Sequence, residues 1–570
     1  MNRNAIEETD KTVHGSEGVR PGEGPRGNEG AWWRHVVIYQ VYPRSFFDST
    51  GNGTGDLPGI ARKMDYIHSL GVDAIWISPF FKSPMKDFGY DVSDYRAVDP
   101  LFGSLDDFDV LLEEAHGRGL KVIIDQVMSH TSDQHPWFLE SRDGRQNDKA
   151  DWYVWADARS DGGPPNNWLA VFGGSAWEWE PRRRQYYLHN FLASQPDLNC
   201  RNPDVRRAGL DNLEFWLERG VDGIRLDAVN FCMHDPELRD NPAKPAVENE
   251  FLGSGQAQTP YAMQEHVFDH THRDNLRYLE DIRSLLDRYE AVALGEVGSE
   301  RSLNVIGEYT QGDHRLHMAY SFDLMGPDNS ANHIKRTMDA IASEVRDGWC
   351  CLAIGNHDVQ RVASRWTGDR PDPDAAKLFA ILLLSLRGAV CLYQGDELGL
   401  PEADVPFEAL KDPYGINFWP AYKGRDGCRT PMPWHAEAPN AGFTSATPWL
   451  PVDARHFDLS VDRQRGNPDS VYECVRAFLH FRKCQPALLY GDLEFLPLEH
   501  NVLSFVRSTA EQSLFMSFNL DGTECSIPLQ ALGLDGSRLA VIDNPAARQG
   551  RIEGESLVLA GHSVLIADTS

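Results

Sequence analysis

Short apolar, β-branched runs recur along this chain, and most neighbouring pairs are separated by a stretch with helical spacing. Residues 36–43, 74–77, 121–125, 223–229, 291–296, 318–322, 351–354 and 389–393 each read as a buried strand. Stretches 60–70, 108–117, 275–289 and 375–386 read as helices between them. Strands alternating with helices in this way predict an α/β fold, a parallel (β/α)₈ TIM barrel whose active site sits at the strands' C-terminal ends.

The alternation is interrupted once, between the third strand and the fourth. There the chain is rich in Trp, Asn, Gly and Pro and far longer than one helix needs, so 131–197 is expected to form a small inserted domain over the barrel mouth. The barrel then occupies 31–130 and 198–490, with an aromatic, Pro-rich active-site loop at 412–451 and a helix at 470–484. From about residue 491 short alternating segments predict a C-terminal antiparallel β-sandwich, 491–570. Residues 1–30 are Gly-, Glu-, Asn- and Arg-rich with no apolar centre, and read as a flexible tail.

Composition narrows the function classes. The 570 residues are 41% hydrophobic, enough for one large domain and smaller ones. A net charge of −30 argues against nucleic acid or an anionic membrane as a partner, because phosphate binding needs clustered Lys and Arg. The nine cysteines show no CxxC spacing, which suits a reducing compartment and makes a cytoplasmic enzyme the expectation. No apolar run is long enough to span a bilayer.

Chemistry gathers at the predicted strand ends. In 223–229 (GIRLDAV), alternation puts Arg225 and Asp227 on one face, so the guanidinium can hold the carboxylate ionised and aimed. Taken alone, such a pair is more readily structural than functional. Strand three, however, ends in Asp125 with His130 beyond it, strand five in Glu296, strand seven in Asn356, His357 and Asp358, and strand two is followed by Gly89, Tyr90 and Asp91. Carboxylates, histidines and an arginine on one barrel face, among many tryptophans and without metal-ligand spacing, suit acetal chemistry on a sugar.

Motifs in series then identify a resemblance. QVYPRSF (40–46), GYDVSDY (89–95), DQVMSH (125–130), QPDLN (195–199), GIRLDAV (223–229), GEV (295–297), GNHD (355–358) and GRDGCRTPMPW (424–434) together resemble the α-amylase superfamily, glycoside hydrolase family 13, in its bacterial α-glucosidase and oligo-1,6-glucosidase branch. The resemblance covers residue 32 to the end. It implies Asp227 as nucleophile, Glu296 as general acid and base, and Asp358 as a third catalytic residue holding sugar hydroxyls. Retention implies that the two reacting carboxyls lie about 5–5.5 Å apart, with their pKa values pushed apart. Tyr90 is expected to stack on the glucose ring, and His130, His357, Phe172 and Arg225 to complete the substrate site. Asp91 and Arg425 resemble the ion pair that closes the pocket and makes the action exo.

Finer readings also follow from the resemblance. Ala228 after the nucleophile points to α-1,4-linked, maltose-like substrates, with α-1,6 cleavage as the alternative. Isomerases such as trehalose synthase or sucrose isomerase use the same acids. A non-catalytic barrel of the transporter heavy-chain kind is disfavoured, since it lacks such acids or carries an anchor. Segment 48–56 is a degenerate form of a family cation loop, with Asp48, Thr50, Asn52, Thr54 and Asp56 at the ligand positions; a structural Ca²⁺ and a glycine-rich turn are equal readings. No other cofactor is implied. The long segment 230–266 resembles loops that bind acceptors, so sugar or alcohol acceptors are expected beside the oligosaccharide substrate, and transglucosylation beside hydrolysis. The assembly is expected to be a monomer or homodimer.

Overall fold

Eight short strands pair in parallel in the computed structural model, which describes residues 31–244, 251–252, 255–256, 259–368, 372–543 and 548–569. They are β1 (Val37–Val41), β2 (Ala74–Ile77), β3 (Lys121–Val127), β4 (Gly223–Asp227), β5 (Val292–Glu296), β6 (Met318–Tyr320), β7 (Cys351–Leu352) and β8 (Ala389–Tyr393). Their order in the sheet is β6-β5-β4-β3-β2-β1-β8-β7, and a parallel bridge between Ala319 and Cys350 joins β6 to β7 and closes the barrel. The expected tail at 1–30 lies outside the described residues.

Strand periodicity fills the barrel. Ile38, Trp76, Ile123, Val292, Leu294, Met318 and Cys391 point inward and pack on one another as an apolar interior. Carried toward the C-terminal ends, the same alternation turns polar, delivering Gln40, Asp125, Arg225, Asp227 and Glu296, all buried. Register fixes their neighbours: Arg225 lies opposite Asp125 of β3, and Glu296 opposite Tyr320 of β6.

Local signals set the helix limits. Leu105–His116 starts earlier than expected because Ser104 and Asp107 form a reciprocal capping box. The expected helix at 60–70 is two, Leu57–Arg62 and Met64–Leu70, broken at Lys63, the first capped by Asp56 through the Gly59 amide. Strand β4 stops at Asp227 because Ala228 takes a left-handed conformation, φ 40°, that turns the chain into Val229–Cys232.

After β3, the strands Trp155–Ala156, Trp177–Glu180 and Gln185–Leu188 form an antiparallel sheet around Trp168, Trp177 and Leu188. The described parts of 230–266 pack against it: Trp168 Nε1 donates to Arg239 O at 2.8 Å and Gln264 Nε2 to Asn167 O at 2.8 Å. At the C-terminal end, a five-stranded and a three-stranded antiparallel sheet enclose one core, with Phe515 and Leu565 from the first facing Ile527, Leu557 and Leu559 from the second. Among the described residues no helix is long and apolar enough to cross a membrane, and no two cysteines form a disulfide.

Candidate active site

Arg225 is fully buried at the centre of the strand ends. Its Nη1 donates to Asp125 Oδ1 at 2.8 Å and Asp227 Oδ1 at 2.6 Å; its Nη2 lies 2.8 Å from Glu296 Oε2 and donates to Tyr320 Oη at 2.6 Å. Glu296 is tethered further by the Ala228 amide at 2.9 Å and the Tyr320 hydroxyl at 3.0 Å. One guanidinium therefore holds both reacting carboxyls side by side, and its plane lies over Trp76, 4.7 Å from the ring centre. Arg225 itself does not line the cavity and acts through the carboxyls it grips.

Burial lifts the Asp227 and Glu296 carboxyls to about 7 each, with Arg225 opposing burial at both. Arg225 contacts both carboxyls, so their titrations are linked. The two carboxyls titrate as one interacting unit, and burial favours the protonated form at both. Asp358 differs. Burial alone would raise it, but the Arg425 and Arg429 guanidiniums hold it well below the ordinary carboxylate range.

A second cationic centre closes one end. Arg425 Nη2 donates to Asp87 Oδ1 at 2.9 Å and to Asp412 Oδ1 at 2.8 Å, and Nη1 to Asp358 Oδ1 at 3.1 Å, while the guanidinium lies 4.8 Å over Phe172. Arg429 adds a 2.8 Å contact to Asp358. Asp91 is not the partner of Arg425. Its carboxylate accepts from Ser83 Oγ at 2.8 Å, the Lys86 amide at 2.9 Å and the Asp87 amide at 3.0 Å, so it braces the loop from within. Gly89, at φ 114°, makes the turn; a Cβ there would come within 2.9 Å of Pro79 O.

Tyr90 and His130 line the cavity, and His357 lies behind them. The Tyr90 hydroxyl is 2.6 Å from His357 Nε2 and donates to Asp125 at 3.1 Å, and the two rings are parallel with centres 5.5 Å apart. Because His357 is fully buried beneath Tyr90 and beside Asp358, the expected direct contact with sugar is replaced by support for the residues that face it. Burial drops both His130 and His357 to about 3, so both are neutral.

These groups surround a cavity of about 570 Å³. Asp87, Tyr90, His130, Phe172, Asp358 and Arg425 line it together with Asp227, Ala228 and Glu296 and with Phe231, Tyr261, His266 and His270. Reading the sequence missed Asp87, Asp412, Tyr320 and His270, whereas Phe231, Tyr261 and His266 fall in the 230–266 segment expected on the acceptor side. Asp87 sits three positions before Tyr90 in a loop, where no periodicity separates it from Asp91.

The residues of the cation loop do not fit a Ca²⁺ site. Asp48 Oδ1 accepts from the Thr50 amide and hydroxyl and the Gly51 amide, and Oδ2 from the Gly53 amide and Thr444 Oγ1. Both oxygens are thus saturated by donors. Asn52 Oδ1 accepts from the Thr54 amide, and Asp56 caps the next helix.

The catalytic-domain model of the α-amylase family matches residues 40–491. A probable α-glucosidase of Rhizobium meliloti is 55% identical over 499 residues, covering 86% of this chain and 89% of that protein. An oligo-1,6-glucosidase of Heyndrickxia coagulans is 37% identical, covering 86% and 92%. The crystal structure of an α-glucosyl transfer enzyme, XgtA, superposes with a TM-score of 0.92 at 57% identity, covering 95% of this chain and 99% of that one.

Proposed function

This chain belongs to the α-amylase family, glycoside hydrolase family 13, and from that premise we propose that it releases α-glucose from the non-reducing end of short α-glucosides and also transfers glucose to acceptors. It is a glycoside hydrolase of the retaining kind. Asp227 attacks the anomeric carbon as Glu296 protonates the departing oxygen; Glu296, now ionised, then takes a proton from water or an acceptor hydroxyl that displaces Asp227. A singly protonated pair is the starting state this sequence needs, and burial, which favours the protonated form of both carboxyls, supports it.

The observation that carries the exo reading is the ionic wall of Arg425, Asp87 and Asp358. Its members line the same cavity as Asp227 and Glu296, and their charged groups can hold the hydroxyls of a terminal sugar. Transfer is supported by the apolar cavity lining of Phe172, Phe231 and Tyr261, where an acceptor can displace water while the glucosyl-enzyme persists. Ala228, which faces the cavity directly after the nucleophile, supports an α-1,4 preference. The free cysteines support a cytoplasmic setting.

The test is an NMR time course on maltose and isomaltose in parallel. Faster maltose cleavage, α-glucose appearing first and new linkages accumulating are the expected results. Preferred isomaltose cleavage would make this an oligo-1,6-glucosidase, and isomerisation of a disaccharide without net hydrolysis would place it among the isomerases. Turnover retained in Asp227→Asn would overturn the catalytic assignment.

A further inference from the structure

His266 is a cavity-lining histidine whose ring nitrogens both face acceptors. Its Nδ1 lies 2.5 Å from Asp269 Oδ2, and its Nε2 lies 2.8 Å from the main-chain oxygen of Tyr261. A carboxylate and a carbonyl accept only, and a neutral imidazole has one N–H to give; an imidazolium satisfies both. The pair is shielded, with side-chain exposures of 3% for His266 and 0% for Asp269. The Tyr261 ring lies on the His266 ring, with centres 3.7 Å apart and planes within 20°, and Tyr261 lines the cavity. A cation held against an aromatic face and hydrogen-bonded to the same residue's backbone fixes that residue in place.

We infer that His266 is a positioning residue, a buried imidazolium that locks Tyr261 as the platform for the acceptor and thereby sets how the glucosyl-enzyme divides between water and a sugar or alcohol hydroxyl. This rests on the glucosidase reading for its functional half, and on geometry alone for the charge. The groups facing His266 agree. Asp269 is its direct partner on the same segment; Glu300, from beyond β5, lies across the cavity wall and pairs with Lys244 at 3.0 Å. His270, stacked 5.7 Å away, is dropped to about 4 chiefly by burial, so the two imidazoles are not both charged. Burial would lower His266, but the contact with Asp269 raises it above its ordinary value; burial would raise Asp269, but the hydrogen bond and charge of His266 hold it below.

The charge is read by nitrogen NMR of the full chain labelled with ¹⁵N-histidine, at pH 7.5. One imidazole with both nitrogens protonated is expected, absent in His266→Gln and converted to a neutral ring in Asp269→Asn. A neutral signal lost in His266→Gln would overturn the inference, whether or not the protein cleaves any glucoside. Should His266→Gln fail to fold, the wild-type and Asp269→Asn spectra still decide. The role is read from transfer-to-hydrolysis ratios with an aryl α-glucoside donor and maltose or glycerol as acceptor. His266→Gln should raise the acceptor KM by about two- to tenfold, more than it changes kcat, and His266→Arg, which keeps a cation with several donors, should restore most of it. In the wild type the ratio should fall as pH rises through the raised His266 value, and His266→Arg should abolish that inflection. A ratio independent of both residue and pH would remove the acceptor role.

Discussion

Arg425 Nη2 donates to Asp87 Oδ1 at 2.9 Å, whereas Asp91, four positions on, directs its carboxylate into its own loop. The two aspartates therefore fail differently when neutralised. Asp87→Asn leaves a buried guanidinium short of a partner at the closed end and is expected to lower kcat/KM by about 10- to 100-fold, mostly through KM. Asp91→Asn should chiefly lower the melting temperature. Steady-state kinetics and a thermal melt on both variants check this, and the reverse assignment would restore Asp91 as the sugar-facing residue.

The paired carboxyls predict a bell-shaped pH profile. Activity needs one proton on the pair, so kcat/KM should fall on both sides of an optimum near pH 7. The same raised values act on stability with a definite sign. A carboxyl whose folded pKa lies above its unfolded one costs stability at pH above the folded value, and the cost fades as pH falls toward the unfolded value. Glu296→Gln is thus expected to be inactive yet to melt above the wild type at pH 8, with the difference shrinking by pH 5. A lower melting point at pH 8 would contradict this.

Asp48 closes the 48–56 loop by accepting donors through both oxygens. We expect Ca²⁺ or EDTA to leave the melting temperature unchanged, and Asp48→Ala to lower it equally in either. Calorimetry with and without the ion decides; a Ca²⁺-dependent rise in the wild type would reinstate the cation site.

Ala228 combines a cavity-facing methyl with a φ of 40°. Ala228→Val should move the maltose-to-isomaltose ratio of kcat/KM toward isomaltose by about tenfold or less, since one added branch decides only a modest preference. It should also lower stability, because a β-branched residue is strained in the left-handed region. An unchanged ratio would detach this position from linkage choice.

What could be read along the chain is what strands carry. A period of two fixes the face of Asp125, Arg225, Asp227 and Glu296, and the parallel register then brings them together, so the barrel and its reacting carboxyls were legible from spacing and motifs. What could not be read depends on loops and on contacts between residues far apart in the chain. Asp87 and Asp91 have the same chemistry and no regular backbone to distinguish them; a guanidinium from 338 residues away chose Asp87. Burial of His357 behind Tyr90, 267 residues away in the chain, and the sharing of Arg225 between both catalytic carboxyls likewise arise where separate strand ends converge. Local periodicity determines which way a side chain points, but only the closed barrel decides what stands in front of it.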